Sequence, residues 1–203
     1  MTEKVPAGTS DLAVNPRIWT IGHSTRSQTE FLDLLAEHNI QAVADVRRHP
    51  GSRRLPHFES AALARTLASR AVEYLWLPDL GGRRRPHPES VNTGWRNLSF
   101  RGYADYLHSE PFAESLAALL NLCWALRTAV MCAEAVWWRC HRGLIADVLR
   151  WQGFEVIHIL GPGSSAPHPY SPAARMVRGR LSYASVAPTG RSHPISEEQH
   201  EPI

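Results

Sequence analysis

Short apolar runs alternate with amphipathic stretches along most of this sequence. Five runs have the length and composition of buried strands, and they begin near Ile18, Gln41, Glu73, Thr128 and Glu155. They are apolar throughout rather than alternating, which predicts strands covered on both faces. The stretches between them predict helices, and strands that alternate with helices are typical of parallel sheets. We therefore expect an α/β fold of three layers, with a mainly parallel sheet of about five strands and helices on both faces.

Apolar residues three or four positions apart mark the helices. Ser27 and Glu30 have the spacing of a capping box, which predicts that the first helix begins there. The second helix is predicted from apolar residues at spacings of four, Leu63, Leu67 and Ala71. Two further helical stretches follow, one that begins near Tyr103 and an apolar stripe from Phe112 to Cys123, and a last helix contains residues 144–149.

Composition divides the chain into three segments. Residues 1–16 show little periodicity and are predicted to be a flexible leader, and residues 17–186 are predicted to form a single α/β domain. Residues 187–203 are polar and contain proline, so we expect a disordered tail. Within the domain, residues 81–101 are predicted to be an extended functional loop, and residues 176–183 a short hairpin that turns at Gly179.

Polar and glycine-rich groups follow four of the five predicted strands. The segments that follow are Gly22-His23-Ser24-Thr25, Asp45-Val46-Arg47-Arg48, Pro78-Asp79 with Gly81-Gly82, and Cys132-Ala133-Glu134. The carboxyl ends of parallel strands meet at one edge of a sheet, where ligands bind in open α/β folds. We therefore expect His23, Asp45, Arg47 and Glu134 to share one crevice.

Several of these segments together resemble a known family. The segments are "TIGHST", "ADVRRHPGSRR", "EYLWLPDLGGRR", "WRNLSFRGYADYL", "MCAEAVWWRCHR", "LIADVL" and "HPYSPAARMVRGRLSY". In this order, over roughly residues 17–185, they resemble the uncharacterised bacterial family catalogued as domain of unknown function 488. The resemblance implies a single compact α/β domain and no established reaction. One position departs from the pattern, because Trp137 stands where the family more often has proline.

The charge of the chain is modest but comes almost entirely from arginine. The net charge is +3, and of 22 lysine and arginine residues only Lys4 is a lysine, which leaves 21 arginines. The planar guanidinium suits phosphate, although most charged runs simply face water. The residues predicted to bind phosphate or substrate are Ser24, Arg47, Arg53, Gly81, Gly82, Arg83, Trp95, Arg96, Arg101, Tyr103, His141 and Arg142. Among them, Trp95 and Tyr103, with Phe100, are predicted to stack on bases.

The segment from Met131 to Asp147 concentrates reactive side chains where a strand leads into a helix. At a helix N-terminus the free N–H groups attract anions and favour ionisation of a thiol such as Cys140. A metal site is one interpretation, with Cys132, Cys140 and His141 as ligands beside Glu134 or His23. The spacing C-x7-C-H matches no usual zinc pattern, so no cofactor is firmly implied.

Thiol catalysis is a second interpretation, with Cys140 as the nucleophile and His141 or His23 as its base. The C-x5-R cradle of cysteine phosphatases is missing, because Ala146 is the sixth residue after Cys140. Adjacent residues on a helix also do not face each other. A purely structural interpretation treats the cysteines as small buried hydrophobic residues, with Glu134 paired to Arg142.

The interpretation that explains most of the sequence assigns the chemistry to Glu134 and Asp45. Two carboxylates at neighbouring strand ends can divide acid and nucleophile or base roles, as breaking an N-glycosidic bond requires. With His23 and Cys140 they form the predicted catalytic set, and the arginines would hold the phosphate of a nucleotide or nucleic acid. The alternative is an arginine-rich module that binds nucleic acid without catalysis.

The sequence gives no sign of membrane association. It contains no run of about 18 apolar residues, and its first residues lack the apolar stretch of a signal peptide. We therefore expect a cytoplasmic protein whose three cysteines, Cys123, Cys132 and Cys140, are reduced.

Overall fold

A computed structural model describes residues 16–51 and 53–185, so the predicted leader and tail lie outside the described residues, apart from Pro16. The strands are β1 (Arg17–Gly22), β2 (Ala42–Asp45), β3 (Glu73–Trp76), β4 (Thr128–Cys132), β5 (Glu155–Gly161), β6 (Ser164–Pro167), β7 (Arg175–Val177) and β8 (Arg180–Ser182). The α-helices are α1 (Gln28–Glu37), α2 (Ser60–Ala68), α3 (Leu98–Tyr106), α4 (Glu110–Ala125) and α5 (Arg142–Trp151). Three single-turn 3-10 helices lie at Pro56–Phe58, Pro78–Leu80 and Trp137–Arg139.

The main sheet has the strand order β3-β2-β4-β1-β5-β6. The first five strands in this order are parallel, as predicted, and β6 pairs antiparallel with β5. The sequence did not indicate β6, because this edge strand is largely exposed and lacks the apolar run that marks the other strands. The predicted hairpin is present as β7 and β8, with Gly179 at a positive φ in its turn.

Two hydrophobic cores lie on opposite faces of the sheet, which confirms the three-layer α/β fold. On one face, α1 and α2 bury residues such as Phe31, Leu35 and Leu63. On the other, α3, α4 and α5 bury residues such as Phe112 and Leu144. After β1 and β2 the chain therefore continues into helices on one face of the sheet, and after β4 it continues into a helix on the other face. This divergence opens a gap between loops at the carboxyl edge of the sheet.

Helix boundaries depend on local capping. The predicted capping box is present, since the Ser27 hydroxyl accepts from the Glu30 N–H and the Glu30 carboxylate accepts from the Ser27 N–H. The predicted start of a helix near Tyr103 is wrong: α3 begins earlier because the side chain of Asn97 accepts two backbone hydrogen bonds. Ala71 lies beyond α2 at a φ of 55°. Within the described residues, no helix combines the length and apolar character needed to cross a membrane.

A chain of buried hydrogen bonds attaches the C-terminal segment to α5. The Asp147 carboxylate accepts from His168 Nε2 at 3.0 Å, from the Ser171 N–H at 2.8 Å and from the Tyr183 hydroxyl at 2.9 Å. A carboxylate only accepts, so in the neutral form of the His168 ring the proton lies on Nε2 and Nδ1 accepts from His158 Nε2, 2.9 Å away. His158 Nδ1 then accepts from the Thr20 hydroxyl at 2.6 Å. These bonds connect Asp147 on α5, through His168 and His158, to Thr20 on β1.

Acid should destabilise the fold through His158. Burial, with the nearby His168 and Arg142, lowers the pKa of His158 to about 2. Below the ordinary pKa, His158 therefore binds a proton in the unfolded chain but stays neutral in the folded protein. Stability is therefore full above the ordinary pKa of 6.5 and is lost as the pH falls below it. We expect the free energy of unfolding to fall by up to about 1 kcal/mol per pH unit between pH 6 and 4 from this group.

Urea denaturation at several pH values measures this dependence. His158→Gln keeps a polar side chain but removes the titrating group, so its stability should vary less steeply with pH. The control is His87→Gln, since the His87 side chain is exposed. An equal pH dependence in His158→Gln and the unmodified protein would contradict the assignment.

Candidate functional site

The loops after β1, β2, β3 and β4 meet around one open depression at the carboxyl edge of the sheet. It consists of two adjoining cavities of about 470 and 1050 Å³, which share Arg47, Arg83 and Glu134 in their walls. We call their combined space the crevice. Its position at the strand ends agrees with the general rule for ligand sites in open α/β sheets.

The segment after β4 lies directly against the end of β1. The His23 N–H donates to the Cys132 carbonyl at 2.9 Å, and the Ser24 N–H donates to the Ala133 carbonyl at 2.8 Å. A Cβ atom on Gly22 would lie 1.8 Å from the Glu134 carbonyl oxygen, which only glycine avoids. This packing carries Glu134 across β1 and into the wall of the crevice, where its side chain is exposed.

Arg47 and Asp45 form a buried ion pair beneath the crevice. Asp45 is fully buried, and its two oxygens accept from Arg47 Nε and Nη2 at 2.5–3.1 Å. The Tyr74 hydroxyl donates to Asp45 as well, and burial together with this carboxylate raises the pKa of Tyr74 to about 12. Burial opposes the charge on Arg47, but its hydrogen bonds to the Asp45 carboxylate raise the pKa of Arg47 above the ordinary value. Asp45 therefore orients Arg47 and does not line the crevice.

His23 is brought to the crevice, but both of its ring nitrogens are engaged. Nδ1 donates to the Ser24 carbonyl at 2.9 Å, and Nε2 accepts from Arg47 Nη1 at 3.2 Å. Burial and the Arg47 charge lower the pKa of His23 to about 4, so the ring is neutral near pH 7. The ring also stacks on Phe58 with 4.2 Å between centroids. In this arrangement His23 shapes the wall and offers no free base.

Cys132, Cys140 and His141 form a compact group in another part of the wall, which we call the thiol–imidazole cluster. Cys132 ends β4, and Cys140 and His141 follow a 3-10 helix and lead into α5. His141 Nδ1 lies 4.0 Å from Cys132 Sγ and 3.7 Å from Cys140 Sγ. His141 Nε2 donates to the Val46 carbonyl at 3.2 Å, so Nδ1 keeps its lone pair and faces both sulfurs.

The two thiols of the cluster differ in acidity. A hydrogen bond from the Cys140 thiol holds the pKa of Cys132 well below its ordinary value, with His141 and Arg142 adding to the effect. Because its proton is held by Cys132 and because it is buried, Cys140 has a raised pKa. The Arg142 N–H and guanidinium at the start of α5 act to lower the pKa of Cys140, as the sequence predicted, but the bond to Cys132 and burial outweigh them.

Comparison with known proteins places the chain in a family without an assigned activity. The family model described as "Domain of unknown function DUF488" matches residues 27–149, which is more than half of the chain. The chain belongs to the DUF488 family. No curated protein and no solved structure matches it. The resemblance found in the sequence is thus confirmed, and any activity must be argued from the crevice itself.

Half of the predicted site residues of this DUF488 protein line the crevice. They are His23, Ser24, Arg47, Gly82, Arg83, Glu134, Cys140 and His141. The predicted residues that do not line it are Asp45, Arg53, Gly81, Trp95, Arg96, Arg101, Tyr103 and Arg142.

Three of the predicted site residues that do not line the crevice form hydrogen bonds within the protein. Tyr103 is 1% exposed and its hydroxyl donates to the Leu80 carbonyl, so the prediction that it stacks on bases is wrong. Arg142 is 2% exposed and donates to the Glu134 and Ala135 carbonyls, so it holds the segment after β4 rather than a phosphate. Arg101 Nε donates to the Trp95 carbonyl.

Sequence reasoning missed several residues of the crevice. Arg48, His49, Trp138 and Arg139 line it but were not named as site residues. Arg139 was detectable, since it stands directly before Cys140 in the segment with most reactive groups. His49 and Trp138 gave no signal, because their placement depends on how the loops fold back over the strand ends.

Gly22 supplies a stability test of the packing that builds this site. Gly22→Ala places a methyl group against backbone that cannot move aside, so we expect a loss of about 3 kcal/mol or more in unfolding free energy. Gly161 also ends a strand of the same sheet, but its Cβ would meet nothing within 4 Å. Gly161→Ala should therefore change stability by less than about 0.5 kcal/mol, which urea denaturation can compare directly. Equal effects of the two substitutions would contradict the packing described here.

Proposed function

We propose that this DUF488 protein is an enzyme that binds a nucleotide or nucleic acid in the crevice and hydrolyses an N-glycosidic bond with Glu134 as the general base. The observation that carries the proposal is the charge of the wall. Four arginines line the crevice, Arg47, Arg48, Arg83 and Arg139. Glu134 is the one carboxylate among the described residues that line it. A concave surface with this balance favours an anionic ligand.

The arginines are not equivalent as phosphate ligands. Asp45 already neutralises Arg47, so Arg47 contributes fixed N–H donors more than net charge. Arg48, Arg83 and Arg139 are exposed, but Arg48 Nη1 donates to the Arg83 carbonyl at 3.4 Å, whereas the guanidinium groups of Arg83 and Arg139 have no hydrogen-bond partner among the described residues. Their guanidinium groups are therefore the ones available for bidentate contacts to phosphate oxygens.

Aromatic side chains beside the arginines favour a ligand that carries a base. Phe100 lines both cavities of the crevice, and Trp138 lines the larger one with 55% of its surface exposed. Trp95 lies behind them, 4.9 Å from Phe100 between ring centroids. Base stacking on exposed aromatic rings accompanies phosphate contacts in many nucleic-acid sites. We assign the stacking role to Phe100 and Trp138 in place of Trp95 and Tyr103.

Glu134 has the freedom that a general base needs. Its side chain is exposed at the wall, and within the described part of the chain no hydrogen bond or ion pair engages its carboxylate. In the proposed reaction the carboxylate takes a proton from water as the water oxygen bonds to the anomeric carbon. The carbon–nitrogen bond breaks, and the proton passes to the departing base. Asp45 lies outside the crevice, so the reaction is proposed with one carboxylate rather than two.

A second candidate function is cysteine-dependent catalysis, and one observation favours it. Cys132 lines the crevice, and its pKa is held low by the Cys140 thiol, His141 and Arg142. A lowered pKa favours the thiolate, which is the nucleophilic form of cysteine. In this version Cys132 rather than Cys140 attacks the ligand.

Replacing Glu134 distinguishes these functions. Glu134→Gln keeps the shape of the side chain but removes the base, so release of free base from nucleoside monophosphates or short oligonucleotides should fall at least about 100-fold. Binding of the same ligands should persist, and chromatography of the products gives the rates. Glu114→Gln, on the exposed side of α4, is the control and should keep full activity.

Other outcomes point to other functions. Full activity in Glu134→Gln together with loss in Cys132→Ser would overturn the role of Glu134 and establish the thiolate. Binding without release of product from any ligand would favour the alternative function, an arginine-rich module that binds nucleic acid without catalysis.

Replacing the exposed arginines tests phosphate recognition. Each phosphate contact releases counterions, so binding of a labelled oligonucleotide should weaken steeply as salt increases. Removing Arg83 and Arg139 together should weaken binding at low salt and flatten this dependence by about one charge for each residue. Fluorescence polarisation over a salt series measures both effects. Arg70→Ala is the control, because Arg70 is exposed after the C-terminus of α2 and does not line the crevice. A salt dependence unchanged by the double substitution would refute phosphate binding at the wall of the crevice.

A further inference from the structure

We propose that the thiol–imidazole cluster is a binding site for Zn²⁺, with Cys132, Cys140 and His141 as its three protein ligands and a fourth position open to the crevice. The three ligand atoms lie within 4.8 Å of one another. In the part of the chain that the structure describes, this is the one group of three or more histidine, cysteine or acidic residues so arranged. Thiolate and imidazole are the ligands that Zn²⁺ prefers.

The distances within the cluster suit a tetrahedral ion. Zinc bonds of about 2.3 Å to sulfur and 2.0–2.1 Å to nitrogen place a sulfur and a nitrogen ligand about 3.5 Å apart at the tetrahedral angle. His141 Nδ1 lies 3.7 Å from Cys140 Sγ and 4.0 Å from Cys132 Sγ. Contraction by less than about 0.5 Å therefore brings both pairs to the coordination distance.

The surroundings of His141 leave its Nδ1 free to bind a metal ion. The Val46 carbonyl holds the proton on Nε2, so Nδ1 has a lone pair directed at the sulfurs. Zinc-binding histidines commonly donate their second ring nitrogen to a carbonyl or carboxylate in this way, which fixes ring orientation. Gly82 packs against the same ring, and a Cβ atom there would lie 2.8 Å from Nδ1. The absence of a side chain at Gly82 leaves the ring in its position.

Arg142 stabilises the negative charge that two ligating sulfurs require. Its backbone N–H lies 3.5 Å from Cys140 Sγ, and its guanidinium Nη1 lies 3.7 Å from the same atom. Such N–H donors favour an anionic sulfur. Two thiolates also balance the charge of a divalent cation, so the ion would be held in a buried wall without excess charge.

The open position sets the type of site. Structural zinc sites are closed by four protein ligands, whereas catalytic sites use three and leave one for water. All three ligands line the crevice, as does Glu134. A water bound there would lie in the space where Glu134 is proposed to take a proton from water. That catalytic role rests on the proposed function, whereas binding of the ion does not.

Spectroscopy with Co²⁺ tests the site without any nucleotide. Titration of the whole chain under reducing conditions should give thiolate-to-cobalt charge-transfer absorption that saturates at one ion per chain, and Zn²⁺ should abolish it. Cys132→Ser and Cys140→Ser should each reduce this absorption and weaken binding at least 100-fold. Cys123→Ser should change neither, because Cys123 is buried on α4 and is not part of the thiol–imidazole cluster.

Two glycine substitutions test the site with both thiols intact, in case the serine variants fail to fold. Gly82→Ala should displace the His141 ring and weaken Co²⁺ binding at least 10-fold. Gly51→Ala, also in the crevice but with nothing within 4 Å of its Cβ, should bind as the unmodified chain does. Absence of charge-transfer absorption, or equal binding in the Gly82 and Gly51 variants, would overturn the proposal.

Glu134→Gln separates this proposal from the proposed function. It should bind Co²⁺ normally while losing turnover. Loss of turnover with normal metal binding supports both proposals, and normal metal binding with no hydrolysis in any variant supports the zinc site alone.

Discussion

The backbone of the segment after β4 rests on Gly22 so closely that no side chain fits between them. The site depends on this contact in two ways. It extends the pairing of β1 with β4 beyond the regular strands, through the N–H groups of His23 and Ser24. It also carries the chain across the end of the sheet, so that Glu134 reaches the crevice and Cys140 returns toward Cys132. The segment after β4 thereby contributes two chemically distinct groups to the wall of the crevice, the Glu134 carboxylate and the thiol–imidazole cluster.

The arginines show how burial divides one residue type into different functions. Arg47 and Arg142 are almost fully buried, and both donate within the protein, Arg47 to Asp45 and Arg142 to backbone carbonyls through its Nη atoms, while Arg142 Nε has no partner among the described residues. A buried guanidinium must find such partners, because its desolvation cost is otherwise large. Arg83 and Arg139 face solvent at the same crevice. Phosphate recognition is therefore assigned to the exposed pair, and the buried pair keeps the wall in place.

The fold was predictable from local patterns, and the site only in part. The apolar runs located all five parallel strands, four of them because buried strands need continuous apolar surface, whereas β3 at the edge of the sheet is only partly buried. The strand-end rule brought His23, Arg47 and Glu134 to one edge. It failed for Asp45, because a carboxylate beside an arginine forms a buried pair when the loop folds over both. The cluster of Cys132, Cys140 and His141 was weighed against the spacing of known zinc motifs, but the loop after β4 makes sequence spacing a poor guide to distance.

Asp147 has a consequence for where the folding unit ends. This carboxylate lies on α5, within residues 27–149 that define the family match, yet its three hydrogen-bond donors come from His168, Ser171 and Tyr183. A fragment that stopped soon after α5 would bury a charge with no partner, at a cost that few domains of this size can absorb. The family match therefore ends before the residues that complete the hydrogen bonds of Asp147. Residues 152–185, which follow α5, therefore belong to the architecture that positions this helix, and with it the two ligands that precede its N-terminus.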